Sequence, residues 1–328
     1  MSKDFTEFCQ QHHIHPEKRT LESLQQIAQV CQEVISQDCV YPTTPFSDQS
    51  FDDYLAFLHT YTDVFLPQAK SKQDSIPALG GLSVLQYAAM HGYDRVIRRL
   101  EPISPDQINA RNQYGMSPLH LAATQSHLAT CRVLCELGAN VHLENNEKQL
   151  PLYCVLTDPT RQGAASIARQ TEVFRELRQH APETIQHRDR LDQNPTHLMA
   201  MYGHLDLLEE AMAYDPNLVL STNTQGIAPI HAAINHQQLL VLQTIAATVP
   251  DAMSLPGHNL RLPLHYAVLA DDPAMVDFCC QMNHKDEIIN ARDKDTKTAW
   301  MMASEHDNQD ILDILARYNV ERTMGCGR

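Results

Sequence analysis

Histidine and cysteine are the residues whose chemistry would matter most here, if spacing brought them together. The chain has 328 residues, with 18 His and nine Cys. Four histidines recur in a repeated phrase: His120, His197, His231 and His265. A row of imidazoles could ligate a metal or move protons. On stacked helices, however, they fall about 10 Å apart, too far to share one ion. A second group, Cys9, His12, His13 and His15, has metal-like residue types but not the spacing of a zinc motif, and no second half follows. It reads as a solvated terminal segment. Cys9 has no identifiable His and Asp partners, so it does not read as a nucleophile. No P-loop, kinase set, nucleophile elbow or HExxH occurs. No catalytic residue, metal site or cofactor is expected, and the chain is read as a non-enzyme. The alternative is an enzyme with an unrecognised site in or near residues 1–75.

The elements that carry the four histidines are more informative. Gly115-Met116-Ser117-Pro118-Leu119-His120-Leu121-Ala122-Ala123 is the clearest copy of a phrase that recurs down the chain. Leu119 aligns with Leu85, Leu152, Thr196, Ile230, Leu264 and Trp300, at steps of 34, 33, 44, 34, 34 and 36 residues. Ser117 is a good helix N-cap and Pro118 suits the first helical position. Asn194 and Thr298 offer the same cap. Apolar residues return 11, 12 and 15 places later: Val96, Ile97, Leu100; Leu207, Leu208, Ala211; Val241, Leu242, Ile245; Met275, Val276, Cys279; Ile311, Leu312, Leu315. That spacing makes one stripe on a second helix. Neither helix can bury its stripe alone, so neighbouring pairs must stack.

These repeats resemble ankyrin repeats, whose period is near 33 and whose core is T-P-L-H-x-A. Ile108-Asn109-Ala110-Arg111 and Ile289-Asn290-Ala291-Arg292-Asp293 resemble the hairpin before each repeat, and Leu137-Gly138-Ala139 resembles the end of a second helix, with Gly138 as cap. The resemblance implies an all-α solenoid of about seven helix-turn-helix repeats with β-hairpin tips over 76–320. It also implies that the four histidines bond within and between repeats. Departures mark particular units. Repeat one has Val84 and Gln86 for Pro and His, repeat three has Tyr153 for His, and repeat seven has Trp300 and Met301. Thr196 at a Leu position should weaken repeat four. In repeat three the stripe Val173, Phe174, Leu177 comes ten residues late. An insertion near Asp158 to Ala168 explains this, either functional or neutral.

Residues 1–75 show no repeat register and hold six of the eight Phe. Helices are expected from Thr20 to about Gln37 and from Ser50 to about Phe65, followed by a linker at 67–78. This region is read as a cap on the first repeat or as a small interaction module. The tail, 321–328, carries Cys326.

The formal net charge of -15 argues against nucleic acid or an anionic membrane as main partner. A local basic patch is still available at Arg95, Arg98 and Arg99. Nine cysteines without a framework suit a reducing compartment. No signal peptide or membrane-spanning run is seen, so a soluble, cytoplasmic monomer is expected. Ankyrin repeats bind proteins through hairpin tips and exposed first-helix ends. The matching residues here are Asn112, Gln113 and Tyr114, Gln125, Asn146, Arg188 and Arg190, Met201 and Tyr202, Asn235 and His236. Tyr114, Met201 and Tyr202 are the expected anchors, because aromatic side chains dominate binding energy. The implied function is a protein-binding scaffold or adaptor. The Gln- and His-rich wording resembles effectors that intracellular bacteria deliver onto host proteins. A eukaryotic cytosolic adaptor is the alternative.

Overall fold

The computed structural model describes residues 82–100, 102–157, 164–282 and 286–318. The helices expected at 20–37 and 50–65, the Cys9 and His12 cluster, the linker, most of the 158–168 insertion and the tail lie outside the described residues. The chain divides into two compact units, Met1–Asn140 and Val141–Arg328.

In the first unit, α1 (Val84–His91) and α2 (Asp94–Arg99) form one helical pair, and α4 (Pro118–Thr124) and α5 (Leu128–Glu136) form the next. The short α3 (Pro105–Ile108) lies between them. Helix α1 packs on α4, and α2 on α5. Ser117 Oγ accepts from the His120 amide at 3.4 Å, capping α4. Leu119, Ala122, Ala123, Cys131 and Leu134 are completely buried. Helix α5 ends through Gly138, whose φ of +88° few other residues adopt. Of the apolar set proposed for α2, Ile97 is fully buried and Leu100 half-buried; the side chain of Val96 lies outside the described set.

The second unit repeats the plan. First helices are α6 (Pro151–Cys154), α8 (Pro195–Tyr202), α10 (Pro229–Asn235), α12 (Pro263–Leu269) and α15 (Ala299–Glu305). Second helices are α7 (Ala164–His180), α9 (Leu205–Tyr214), α11 (Leu239–Thr248), α13 (Pro273–Met282) and α16 (Gln309–Arg317). The turn α14 (Asp286–Ile289) precedes α15. Helices α8, α10, α12 and α15 pack in sequence, as do α9, α11, α13 and α16. Leu207, Leu208, Leu242, Ile245, Met275, Val276, Cys279, Ile311 and Leu315 are fully buried, so the +11, +12, +15 stripe is the core. Leu312 is only half-buried, and Ile314 shares its place.

Four details differ from the sequence reading. The tips are tight turns without flanking strands among the described residues. Each five-residue loop closes on itself, as in Asn223 N–H to Ile227 O at 2.9 Å, and neighbouring tips share only single backbone bonds. Second, a further helical turn recurs after α7, α9 and α11, before the next tip, at Pro182–Gln186, Pro216–Leu220 and Pro250–Ser254. It buries Ile185, Val219 and Met253. Third, the insertion in repeat three is in part a longer second helix. Helix α7 starts at Ala164 and runs 17 residues, since nothing after Gly163 breaks it. Gln170 Nε2 anchors it on Val155 O at 3.0 Å.

Finally, Asn194 does not cap α8 with its side chain. Its amide donates to Leu218 O (2.9 Å) and Ser221 Oγ (2.8 Å), while the Asn194 N–H meets His197 Nδ1 at 3.3 Å. Thr196 joins this network, donating to Asn194 Oδ1 at 2.7 Å. The hydroxyl at a Leu position is therefore satisfied in the core, and the weakening expected from an unpaired buried group does not apply.

Candidate protein-binding face

The histidines of the repeated phrase hold helix starts to the neighbouring repeat. His231 Nδ1 accepts from the Ala228 N–H and its Nε2 donates to Leu255 O, both at 3.1 Å. His265 does the same with the Leu262 N–H and Ala291 O, both at 3.1 Å. His197 reaches Ile227 O at 3.1 Å. A ring that accepts at one nitrogen and donates at the other is neutral. Burial pushes His197 and His231 down to about 4, against the backbone bonds that favour the charged form. Among the described residues no group of three His, Cys, Asp or Glu is placed to hold a metal.

Tyr153 takes over this task in repeat three. Its hydroxyl donates to the carbonyls of His187 and, at 2.8 Å, Gln193. Burial and nearby Asp189 push the phenol well above its ordinary range, so it stays a donor. Cys279 and Cys280 are buried among the second helices; burial raises both, Cys280 to about 12, so neither is a thiolate nucleophile at neutral pH.

The tips are built by one device that the sequence reading missed. Seven residues before five of the seven Leu-type positions stands an Asn or Asp whose side-chain oxygen accepts two backbone amides, two and four residues on; repeat six has Gly257 there. Asn112 accepts from Tyr114 and Met116, Asn145 from Glu147 and Gln149, and Asp189 from Leu191 and Gln193. Asn223 accepts from Gln225 and Ile227, and Asp293 from Asp295 and Lys297, every bond being 2.9 Å. The preceding Arg often braces the same turn: Arg111 donates to Gly115 O, Arg188 to Asp192 O and Arg292 to Thr296 O, at 2.8–3.0 Å. The signal was available as Asn112, Asn145, Asp189, Asn223 and Asp293 in one register.

This sorts the sequence-derived residues. Asn112 has its side-chain oxygen committed to the turn, where it positions Tyr114. Arg188 is likewise engaged, with Asp192 at 3.0 Å, and Arg190 pairs with Glu147 at 3.6 Å. In the first unit Tyr114 and Gln113 project from their tip, Tyr114 with 63% of its surface exposed, and Gln125 ends α4 half-buried. In the second unit Asn146 is exposed on its tip. Met201 and Tyr202 end α8, and Asn235 and His236 end α10. The last two pairs come together, with Tyr202 and His236 rings 6.3 Å apart. Of the suggested basic patch, Arg98 is bound to Glu136 at 2.7 Å; the side chains of Arg95 and Arg99 lie outside the described set.

Capped helix pairs, buried His bridges and Asx-held tips at one period define the ankyrin-repeat fold, and this chain adopts it. Residues 58–145 match the family described as ankyrin repeats (3 copies), beginning upstream of residue 76. Inversin from dog is 23% identical over 175 residues, which is 52% of this chain and 15% of that protein. A transient receptor potential cation channel subfamily A member 1 homolog from Caenorhabditis elegans is 25% identical over 211 residues, 64% of this chain and 16% of that one. The chain thus spans about a sixth of the curated relatives it matches. Among solved structures, the human ASB11 ankyrin repeat domain superposes with a TM-score of 0.60 at 18% identity, covering 74% of this chain and all of that domain. The ankyrin repeat domain of Bcl-3 gives 0.58 at 16%, covering 72% and 99%. Among the described residues no helix is long and apolar enough to cross a membrane.

Proposed function

We propose that the chain is a non-enzymatic scaffold that binds a protein partner through its tips and first-helix ends. One observation carries this reading. The conspicuous polar groups of the repeat are consumed internally, while aromatic, Met and amide side chains are left outward at the same register. Buried His, Asn and Asp spend their donors and acceptors on backbone, so they are unavailable for chemistry. Tyr114, Met201, Tyr202, Asn235 and His236 have no such duty among the contacts described. Buried free thiols at Cys279 and Cys280 suit a reducing cytosol.

The finer reading, a bacterial effector acting on a host protein, rests on the Gln- and His-rich repeats alone. The similar curated proteins quoted above are animal proteins. Affinity capture from eukaryotic cell lysate tests the scaffold reading. The baits are the full chain, the Tyr114→Ala variant and the Met201→Ala, Tyr202→Ala double variant, each checked for folding by circular dichroism. The expected result is a protein that the full chain retains and one folded variant loses by about tenfold, as removal of an anchor does. If every captured protein is held equally by all three baits, this face is not the binding surface.

A further inference from the structure

The charges of the second unit are not spread evenly. From Gln193 to Leu260 there is no Lys or Arg. The acidic residues in that stretch are Asp206, Glu209, Glu210, Asp215 and Asp251. All five lie on α9, in the turns that follow α9 and α11, or at their junctions, away from the tips and first-helix ends. The back of repeats four and five therefore carries all five of these charges, while the front between Gln193 and Leu260 carries no formal charge. On that front the tips offer Leu191 and Leu260, 51% and 60% exposed. The first-helix ends offer Met201, Tyr202, His236 and Leu269, the last 39% exposed.

This surface is held as one piece. The Thr224 N–H donates to Leu191 O at 2.9 Å, tying two tips. At the next pair, a Cβ built on Gly226 would lie 3.6 Å from the His258 nitrogen, so those tips touch as well. The Lys294 N–H then donates to Asn259 O at 2.8 Å. Tyr202 and His236 meet edge to face across neighbouring helix ends. Most flanking charges are paired: Arg188 with Asp192, Arg190 with Glu147, Arg261 with buried Asp293 at 3.2 Å, and Lys297 with Glu305 at 2.6 Å. Beyond Leu269 the patch ends at two carboxylates, Asp271, which meets the Asn308 amide, and Asp272, which accepts the Ala274 and Met275 amides at the start of α13.

Centres of protein interfaces are depleted of charge and enriched in aromatic residues and Met. A neutral patch on a chain of net charge -15 offers an acidic or basic segment no counter-charge, and would strip its hydration without return. We infer that the front of repeats four to six takes an uncharged polypeptide segment of a partner protein. That segment presents two or more apolar side chains to Leu191, Leu260, Tyr202 and Leu269, with its backbone met by amides such as Asn235 and Gln225. The inference rests on the protein-binding reading above and narrows it to a partner chemistry and a set of repeats.

The test is selection of a random dodecapeptide phage library on the full chain, with the folded Tyr202→Asp, Leu269→Asp variant as counter-selection. Selected peptides are then synthesised and titrated by fluorescence anisotropy. Expected are peptides with no net charge and at least two apolar positions. Their affinity should change less than about twofold between roughly 50 and 500 mM NaCl, because no ion pair between peptide and protein is there to be screened. It should fall by about tenfold or more in the variant. Enrichment of acidic or basic peptides, or a steep salt dependence, overturns the neutral partner class while leaving protein binding intact. Enrichment of neutral peptides that bind the variant equally overturns the location. No enrichment overturns the inference, and lysate capture lost on the Met201→Ala, Tyr202→Ala variant would still uphold the broader reading.

Discussion

Acidification from pH 7.5 to pH 5 should destabilise the second unit through three buried histidines. His197, His204 and His231 are each held down to about 4 by burial, against an ordinary value of 6.5. The folded state thus prefers the neutral ring, and the unfolded chain takes up the proton first. Their stabilisation is complete above about pH 6.5 and is lost as pH falls from there towards 4. At pH 5 the unfolded form is almost wholly protonated and the folded form about a tenth so, which makes each ring worth about 2 kcal/mol at that pH. Three rings give roughly 6 kcal/mol, comparable with the whole stability of a typical domain. Two effects reduce the sum. His197 is itself mostly neutral at pH 5, so the repulsion that helps hold His231 down is largely absent there, and protonation relieves the repulsion of a chain at net charge -15. The assay is urea unfolding followed by far-ultraviolet circular dichroism at both pH values, for the natural chain and for His231→Gln. The natural chain should lose several kcal/mol, and His231→Gln should lose about 2 kcal/mol less. Ring titration by nuclear magnetic resonance supplies the direct check. Native-state histidines that all titrate near 6.5, or equal stability at the two pH values, would refute the reasoning.

Three further outcomes follow from particular contacts. Tyr153→Phe strands the carbonyls of His187 and Gln193 and should cost about 1–3 kcal/mol in urea unfolding; an unchanged midpoint would deny the bridge its role. In Gly257→Ala the added Cβ would lie 2.6 Å from Tyr266 Oη and 3.0 Å from His231 Cε1. The melting temperature should therefore drop by several degrees, for about 1–3 kcal/mol of overpacking, with partial recovery in the Tyr266→Phe background. Gln237 sits at φ +55° where Gly92 and Gly203 occupy the same turn in other repeats, so Gln237→Gly should stabilise by about 0.5 kcal/mol, read from the same melts.

Much of the fold was legible because it is written in a period. Pro118, Leu119 and His120 name a helix start wherever they recur, and the +11, +12, +15 stripe names its partner. Both signals are local, so steric and hydrogen-bonding rules acting over one turn suffice to read them. The clamps at Asn112, Asn145, Asp189, Asn223 and Asp293 were equally periodic but went unread, since tip residues look like solvent-facing polar groups until their oxygens are seen on backbone amides. The turns at Pro182, Pro216 and Pro250 were missed for a related reason: a single turn buries one side chain and leaves no stripe.

The residues proposed to bind a partner were harder. Met201, Tyr202, Asn235 and His236 follow from register alone, but Leu191, Leu260 and Leu269 did not stand out, because an exposed leucine cannot be told from a buried one in a linear string. The sequence by itself determined the repeat, its period and the absence of cations from 193 to 260. Only the tertiary structure decided which polar groups are spent inside, such as Asn112 and Asn194. It also decided which uncharged side chains share one surface. Those are relations between residues some 34 positions apart, set by how stacked helices bring equivalent places together and not by anything their immediate neighbours encode.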